Sequence, residues 1–156
     1  MVYIILCVIT GLLCFGDLYC KSWIEKHLCK GDREKIGSGP FELRRVHNEG
    51  FAMNYCDEKP EYVRIVSLII CGVMAIWALI VWKKESCLVK RIAAAFMLAG
   101  AISNTYDRMK REYVVDYIGV KVKHEKLRRI TFNLADVFIF VGAVSYAIAD
   151  VFGSDI

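Results

Sequence analysis

Apolar and polar positions divide this chain into four long runs poor in charge and two loops rich in it. Met1 to Gly16 carries no charge, and Ile65 to Trp82 is an apolar stretch of about 18 residues, enough to cross a hydrocarbon core about 30 Å thick. Asn133 to Phe152 supplies about 20 more, broken by Asp136 and Asp150. The fourth run, Ile92 to Tyr106, offers about 15 uncharged residues, or about 22 Å of helix, and begins near Leu88 if Lys90 and Arg91 extend their charged ends beyond their apolar stems. The pattern predicts a mainly α membrane protein of four transmembrane helices, at about residues 1–18, 63–82, 88–106 and 133–152, in a single domain over 1–156. An even number of crossings puts both termini on one side. It gathers the larger loops, about 20–62 and 107–131, on the other side, opposite the short loop Lys83 to Arg91.

The loops carry their own signals. Trp23 to Cys29 reads as a short interfacial helix, Gly37-Ser38-Gly39-Pro40 as a turn, and Phe41 to Phe51 as strand, turn, strand around Asn48-Glu49-Gly50. Val114 to Val122, rich in β-branched and aromatic residues, reads as a further strand. A small sheet lying on the membrane surface follows.

Composition agrees with this setting. A hydrophobic share of 56% is too high for a soluble domain of 156 residues. The net charge of +4 suits anionic lipid headgroups and gives no reason to invoke nucleic acid. It leaves orientation open, because the dense cluster Lys83, Lys84, Lys90 and Arg91 reads as cytoplasmic while most of the 21 basic residues lie in the larger loops. The first segment has no basic leader and no clear small-residue cleavage motif ahead of Asp17, so it is expected to remain as a helix. The seven cysteines form no Cys-x-x-Cys pair and have no histidine at ligand spacing, which argues against a metal site. A disulfide among Cys20, Cys29 and Cys56 stays open.

Candidate chemistry lies in the polar residues kept near helix ends. Asp17 and Lys21 close the first helix at i, i+4 spacing, Asn48 and Gly50 stand in the expected hairpin, and Gly100, Asn104 and Arg108 end the third helix. Asp116 lies in the second loop, and Asn133 and Asp136 open the fourth helix. Four crossings bring all of them to one membrane face. An ionised carboxylate near hydrocarbon costs several kcal/mol unless paired, hydrated or protonated, so keeping both Asp116 and Asp136 there suggests a task. Two close carboxyls sharing one proton can deprotonate an attacking water and protonate a leaving nitrogen. Taken singly, Asp17 reads as a structural partner, Asp116 as a surface-strand carboxylate, and Asp136 equally as a helix cap or a catalyst. Asp107 and Asp150 read as interfacial charges, and His27, His47 and His124 as surface residues.

Five blocks resemble signal peptidase II, the aspartic prolipoprotein signal peptidase of bacteria. They are Asp17-Leu18-Tyr19-Cys20-Lys21, Asn48-Glu49-Gly50-Phe51-Ala52, Gly100-Ala101-Ile102-Ser103-Asn104 with Asp107-Arg108, Val114-Val115-Asp116-Tyr117-Ile118, and Phe132-Asn133-Leu134-Ala135-Asp136. The resemblance implies cleavage of signal peptides from diacylglyceryl-modified prolipoproteins before the lipidated cysteine, with Asp116 and Asp136 catalytic and no cofactor or metal. It implies that Asp17, Lys21, Asn48, Gly50, Gly100, Asn104, Arg108, Asn133 and Ala135 shape the site. It also implies cytoplasmic termini, an outward-facing site in the cytoplasmic membrane, a monomer among membrane lipids, and inhibition by globomycin. Ser103, Met53 and Val137 depart from the family's usual glycine, phenylalanine and serine, and none of the three removes a catalytic group.

Other classes predict different arrangements. A transporter or proton channel would keep its carboxylates near mid-membrane and on both halves of the bundle. A serine–lysine peptidase would use Ser22 and Lys21, but neighbours on a helix point apart. A purely structural membrane protein leaves the convergence unexplained.

Overall fold

The computed structural model describes residues 1–50, 58–84, 87–122, 124 and 130–152. Among the described residues four helices form: α1 Val2–His27, α2 Pro60–Lys84, α3 Leu88–Arg111 and α4 Leu134–Phe152. Helix α1 turns Ile4, Val8, Leu12, Phe15 and Tyr19 outward, each more than half exposed, and buries Leu6, Thr10, Asp17, Lys21 and Ile24. Both sets recur every three or four residues, which makes an inside-out amphipathic helix with apolar side chains outside and ionic ones inside. Among the described residues α1, α2 and α4 are long and apolar enough to cross a membrane. Helix α3 matches them in length at 24 residues but is less apolar, because it packs against the other three and presents little to the surroundings. Its buried face reads Ala93, Ala94, Ala95, Leu98, Ala99, Gly100, Ser103, Asn104, Thr105 and Asp107.

Small residues let α3 and α4 approach closely. A Cβ at Gly100 would collide with the Ala135 carbonyl, and one at Gly142 would lie 2.7 Å from the Ala93 carbonyl oxygen. At the opposite end of the bundle from this Gly100 contact, Lys90 pairs with Asp150 at 2.8 Å.

The sheet is antiparallel in the order β1 Arg33–Lys35, β2 Phe41–Asn48, β3 Val114–Val120, β4 Thr131–Phe132. A register irregularity between Leu43 and Val46 brings Val46 opposite Asp116. The sheet seats on α1 through Ile24 and Leu28, which pack with Val115 and Tyr117. Arg45 and His47 of β2 both reach the Glu25 carboxylate of α1, each at 2.7 Å. Glu112, at φ 72, takes the left-handed conformation that ends α3 and turns the chain into β3.

Two expectations need correction. Residues 23–27 are the last turns of α1 and no separate interfacial helix, since nothing between Leu18 and Ser22 breaks the helix and the Asp17–Lys21 pair bridges one of its turns. The turn read at Gly37-Ser38-Gly39-Pro40 forms, closed by the Ile36 amide donating to the Phe41 carbonyl at 3.1 Å, and β2 runs on through Asn48, whose Oδ1 accepts the Gly50 amide. The expected return strand toward Phe51 falls outside the described residues. Helix α3 also continues past Tyr106 to Arg111.

Replacing Gly100 with valine is expected to force α3 and α4 apart and to destabilise the protein by about 1–3 kcal/mol, the usual penalty of overpacking. The thermal midpoint of detergent-solubilised protein reads this directly; an unchanged midpoint would contradict the close approach.

Candidate active site

Asp116 comes from β3 and is 5% exposed, while Asp136 sits in the first turn of α4. Asn133, the residue before α4, joins them. Its Nδ2 donates to Asp116 Oδ1 at 2.7 Å, its backbone N–H donates to Asp136 Oδ2 at 3.2 Å, and its Oδ1 accepts from the Asp136 amide at 3.0 Å. The last two bonds form a reciprocal capping box, so Asp136 both caps its helix and points its carboxylate at the residue that holds Asp116. The positive end of the α4 dipole lies at the same place.

Three asparagines share one arrangement. Asn48 accepts from the Gly50 amide at 3.2 Å and donates Nδ2 to Asp116 Oδ2 at 3.1 Å. Asn104 accepts from Lys21 Nζ at 2.8 Å and donates Nδ2 to Asp136 Oδ1 at 2.9 Å. An ammonium has only donors, so the Asn104 oxygen must face Lys21 and its NH2 group must face Asp136. Asn133 follows the same rule, with its oxygen occupied by the Asp136 amide. Each carboxylate oxygen therefore receives an oriented N–H donor. Arg108 donates Nη2 to the Gly50 carbonyl at 3.0 Å and places its charge within range of both carboxylates.

Burial lifts the Asp116 carboxyl to about 7, helped by the neighbouring Asp136 charge and opposed by the hydrogen bonds from Asn48 and Asn133. It can therefore hold a proton at neutral pH.

Beneath the carboxylates lies a sealed ionic cluster. Lys21 Nζ stands 2.8 Å from Asp17 Oδ2 and 3.4 Å from Asp107 Oδ2, and all three side chains are fully buried. Ser103 donates to Asp17 at 2.6 Å and accepts from Lys21 at 3.2 Å. The Tyr117 hydroxyl donates to Asp17 Oδ1 at 2.9 Å and accepts the Leu134 amide at 3.2 Å; burial, then the Asp17 charge, pushes its phenol well above the ordinary value. Arg111 binds Asp107 on its other oxygen and reaches Ser22 Oγ at 2.9 Å.

Every residue expected at the site falls in this region. Gly100 and Ala135 contribute their closeness of approach, and the remainder contribute hydrogen bonds. Asp107, expected as an interfacial charge, is fully buried and ion-paired. Asp17 lies ten residues before the end of α1 and does not close it. Ser103 and Tyr117 were not singled out for the site; the i, i+4 spacing of Asp107 and Arg111 signals an ion pair but not the direction it faces, and the role of Tyr117 depends on a tertiary contact. Lys21 and Ser22 are not brought together, since Ser22 Oγ donates to the Leu18 carbonyl and accepts from Arg111. Among the described residues no group of three or more His, Cys, Asp or Glu could hold a metal ion, and Cys20 and Cys29 carry free thiols. Met53 and Cys56 lie outside the described residues.

The family model described as signal peptidase (SPase) II matches residues 9–152. The chain belongs to the signal peptidase II family. Among its relatives, a lipoprotein signal peptidase of Fusobacterium nucleatum subsp. nucleatum is 32% identical over 152 residues, covering 97% of this chain and 87% of that protein. One from Clostridium novyi is 31% identical over 144 residues, covering 92% and 94%. Two solved structures, each described as a bacterial membrane enzyme, share the fold at 23% identity with TM-scores of 0.79 and 0.78; both cover 94% of this chain, which spans 87% and 92% of theirs. As a signal peptidase II the protein is a hydrolase of the aspartic peptidase class, and its apolar helices make it a multi-pass protein of the bacterial inner membrane.

The raised carboxyl of Asp116 has a consequence for stability. A carboxyl lifted by folding favours the folded state below its unfolded value near 4, and this contribution is lost as pH rises through about 7. Asp116→Asn removes the penalty of ionisation. Its thermal midpoint relative to the parent is expected to rise between pH 5 and pH 8, by an amount on the order of a few kcal/mol in stability. A difference that stays flat over that range would contradict the raised value.

Proposed function

We propose that Asp116 and Asp136 form a proton-sharing dyad that removes signal peptides from diacylglyceryl-modified prolipoproteins, cutting immediately before the lipidated cysteine. The observation that carries this reading is the attachment of both carboxylates to one residue, Asn133. In the resting pair one carboxyl is ionised and the other protonated, because two like charges held this close cannot both ionise cheaply. The ionised member takes a proton from water as the water oxygen attacks the scissile carbonyl. The protonated member stabilises the developing oxyanion, and the proton gained from water passes to the departing nitrogen. Oriented N–H donors on the four carboxylate oxygens fix the direction in which the remaining lone pairs face the substrate. Arg108 is suited to hold a substrate carbonyl or lipid phosphate with its fixed fork.

The proposal includes a single domain over 1–156 crossing the membrane four times, with α3 as the shielded central crossing. Both termini face the cytoplasm and the dyad faces outward. The sheet forms a cradle over the site, and the protein works as a monomer among membrane lipids. Globomycin is expected to block the reaction by occupying the aspartates. A small carboxylate-containing transporter or proton channel is the less favoured alternative, because Asn133 ties both carboxylates to one place at the start of α4.

Asp116→Asn and Asp136→Asn are each expected to lower cleavage of a lipidated precursor by about 10³-fold or more, with membrane insertion unchanged. Ser22→Ala should keep its activity, and an unlipidated precursor should not be cut. Retained cleavage in either aspartate variant contradicts the dyad.

A further inference from the structure

We propose that Asp107 is a positioning residue for the reaction, holding the strand that presents Asp116 and tying it, through Lys21 and Asn104, to Asp136. The inference rests on the dyad reading above. Its starting observation is the Val115 amide, one residue before Asp116, which donates to Asp107 Oδ2 at 3.2 Å. Strand β3 has β2 along one edge, while on its other edge β4 pairs only with Ile118 and Gly119. Among the described residues the start of β3 therefore has no strand neighbour on that second edge. A buried backbone N–H without an acceptor costs free energy comparable to a lost hydrogen bond, and Asp107 supplies the acceptor.

The same carboxylate oxygen faces Lys21 Nζ at 3.4 Å. Lys21 in turn fixes the Asn104 amide, which donates to Asp136. One fully buried carboxylate thus touches the backbone beside one dyad member and the cation that orients the partner of the other. Its remaining oxygen is occupied by Arg111, which α1 steadies through Ser22. The charges balance within the cluster, with Asp17 and Asp107 facing Lys21 and Arg111. Asp107 lies one turn beyond Asn104 on α3, so helix α3 carries both links and sets the spacing between β3 and α4. Displacement of about 1 Å between reacting groups can lower a rate by about 10²-fold, which gives this scaffold kinetic weight without contact with substrate.

Two substitutions separate the carboxylate's roles. Asp107→Asn keeps an oxygen for the Val115 amide and for Lys21, and places its NH2 group toward Arg111, which is partly exposed and can move aside. Asp107→Leu keeps the volume and removes the acceptor. In full-length protein in detergent, hydrogen–deuterium exchange of the β3 amides around Val115 is expected to accelerate in Asp107→Leu and to stay near the parent rate in Asp107→Asn. Cleavage of a lipidated precursor, normalised to folded protein, is expected to show kcat at least about tenfold lower in the leucine variant than in the asparagine variant, with KM little changed. Equal exchange at β3 in the parent and Asp107→Leu overturns the proposal, as does a loss of activity that only follows the loss of folded protein. If Asp107→Leu does not fold, the asparagine variant still decides: an exchange rate at Val115 raised above the parent overturns the assignment. Exchange does not depend on chemistry at the dyad, so failure of the catalytic reading, seen as an active Asp116→Asn, is distinguished from failure of this one.

Discussion

Polar groups placed against hydrocarbon must find their partners inside the protein, because lipid offers none. That constraint organises this molecule. Helices α1, α2 and α4 turn apolar faces outward and leave α3, Ala-rich on its buried side, to collect the polar residues. Lys21 is the group with most at stake. A fully buried ammonium left without a counter-charge costs several kcal/mol, and here two aspartates, a serine and an asparagine surround it. Satisfying this one cation fixes the position of α1 against α3, the direction of the Asn104 amide, and through it one oxygen of Asp136.

The same logic explains how two carboxylates are tolerated side by side. Each of their four oxygens receives a donor whose own acceptor atom or backbone is already held elsewhere. Asn48 is set by Gly50, Asn104 by Lys21 and Asn133 by the capping box at the start of α4. Buried networks of this kind are rigid when every member is satisfied and costly when one is not. Rigidity serves the chemistry: the donors need no reorganisation as charge moves between water and substrate. The desolvation that makes the site expensive also raises the Asp116 carboxyl, so the cost of burial and the supply of a proton at neutral pH have one origin.

Much of this was legible in the sequence, for particular reasons. Lipid-facing stripes are long and apolar, so α2 and α4 could be placed to within a few residues, and α3 was recognised despite its low apolar content. The Asp17–Lys21 spacing announced an ion pair. The inward placement of Asp107 was not legible, because a charged residue near a helix end looks the same whether it faces a headgroup or a buried lysine; its partner, Lys21 on α1, is 86 residues away in the chain. The length of α1 was underestimated because its polar residues look like an ending when they are an interior. The turn at Gly37-Ser38-Gly39-Pro40 was legible from its glycines, and Gly37 takes φ +58 there, whereas the bond from Asn48 to Asp116 depends on the pairing of β2 with β3. Ser103 looked like a minor departure, and in the fold it bridges Asp17 and Lys21.

The central claim is that Asp116 and Asp136 titrate as one unit. Carbon-13 labelling of the aspartate carboxyls, with assignment by Asp116→Asn and Asp136→Asn and spectra recorded from pH 4 to pH 9, measures this directly. The account predicts that the Asp116 signal moves with a midpoint near 7 and that the Asp136 signal responds to the same step. Two independent transitions complete by pH 5, with neither signal sensing the other, would contradict it.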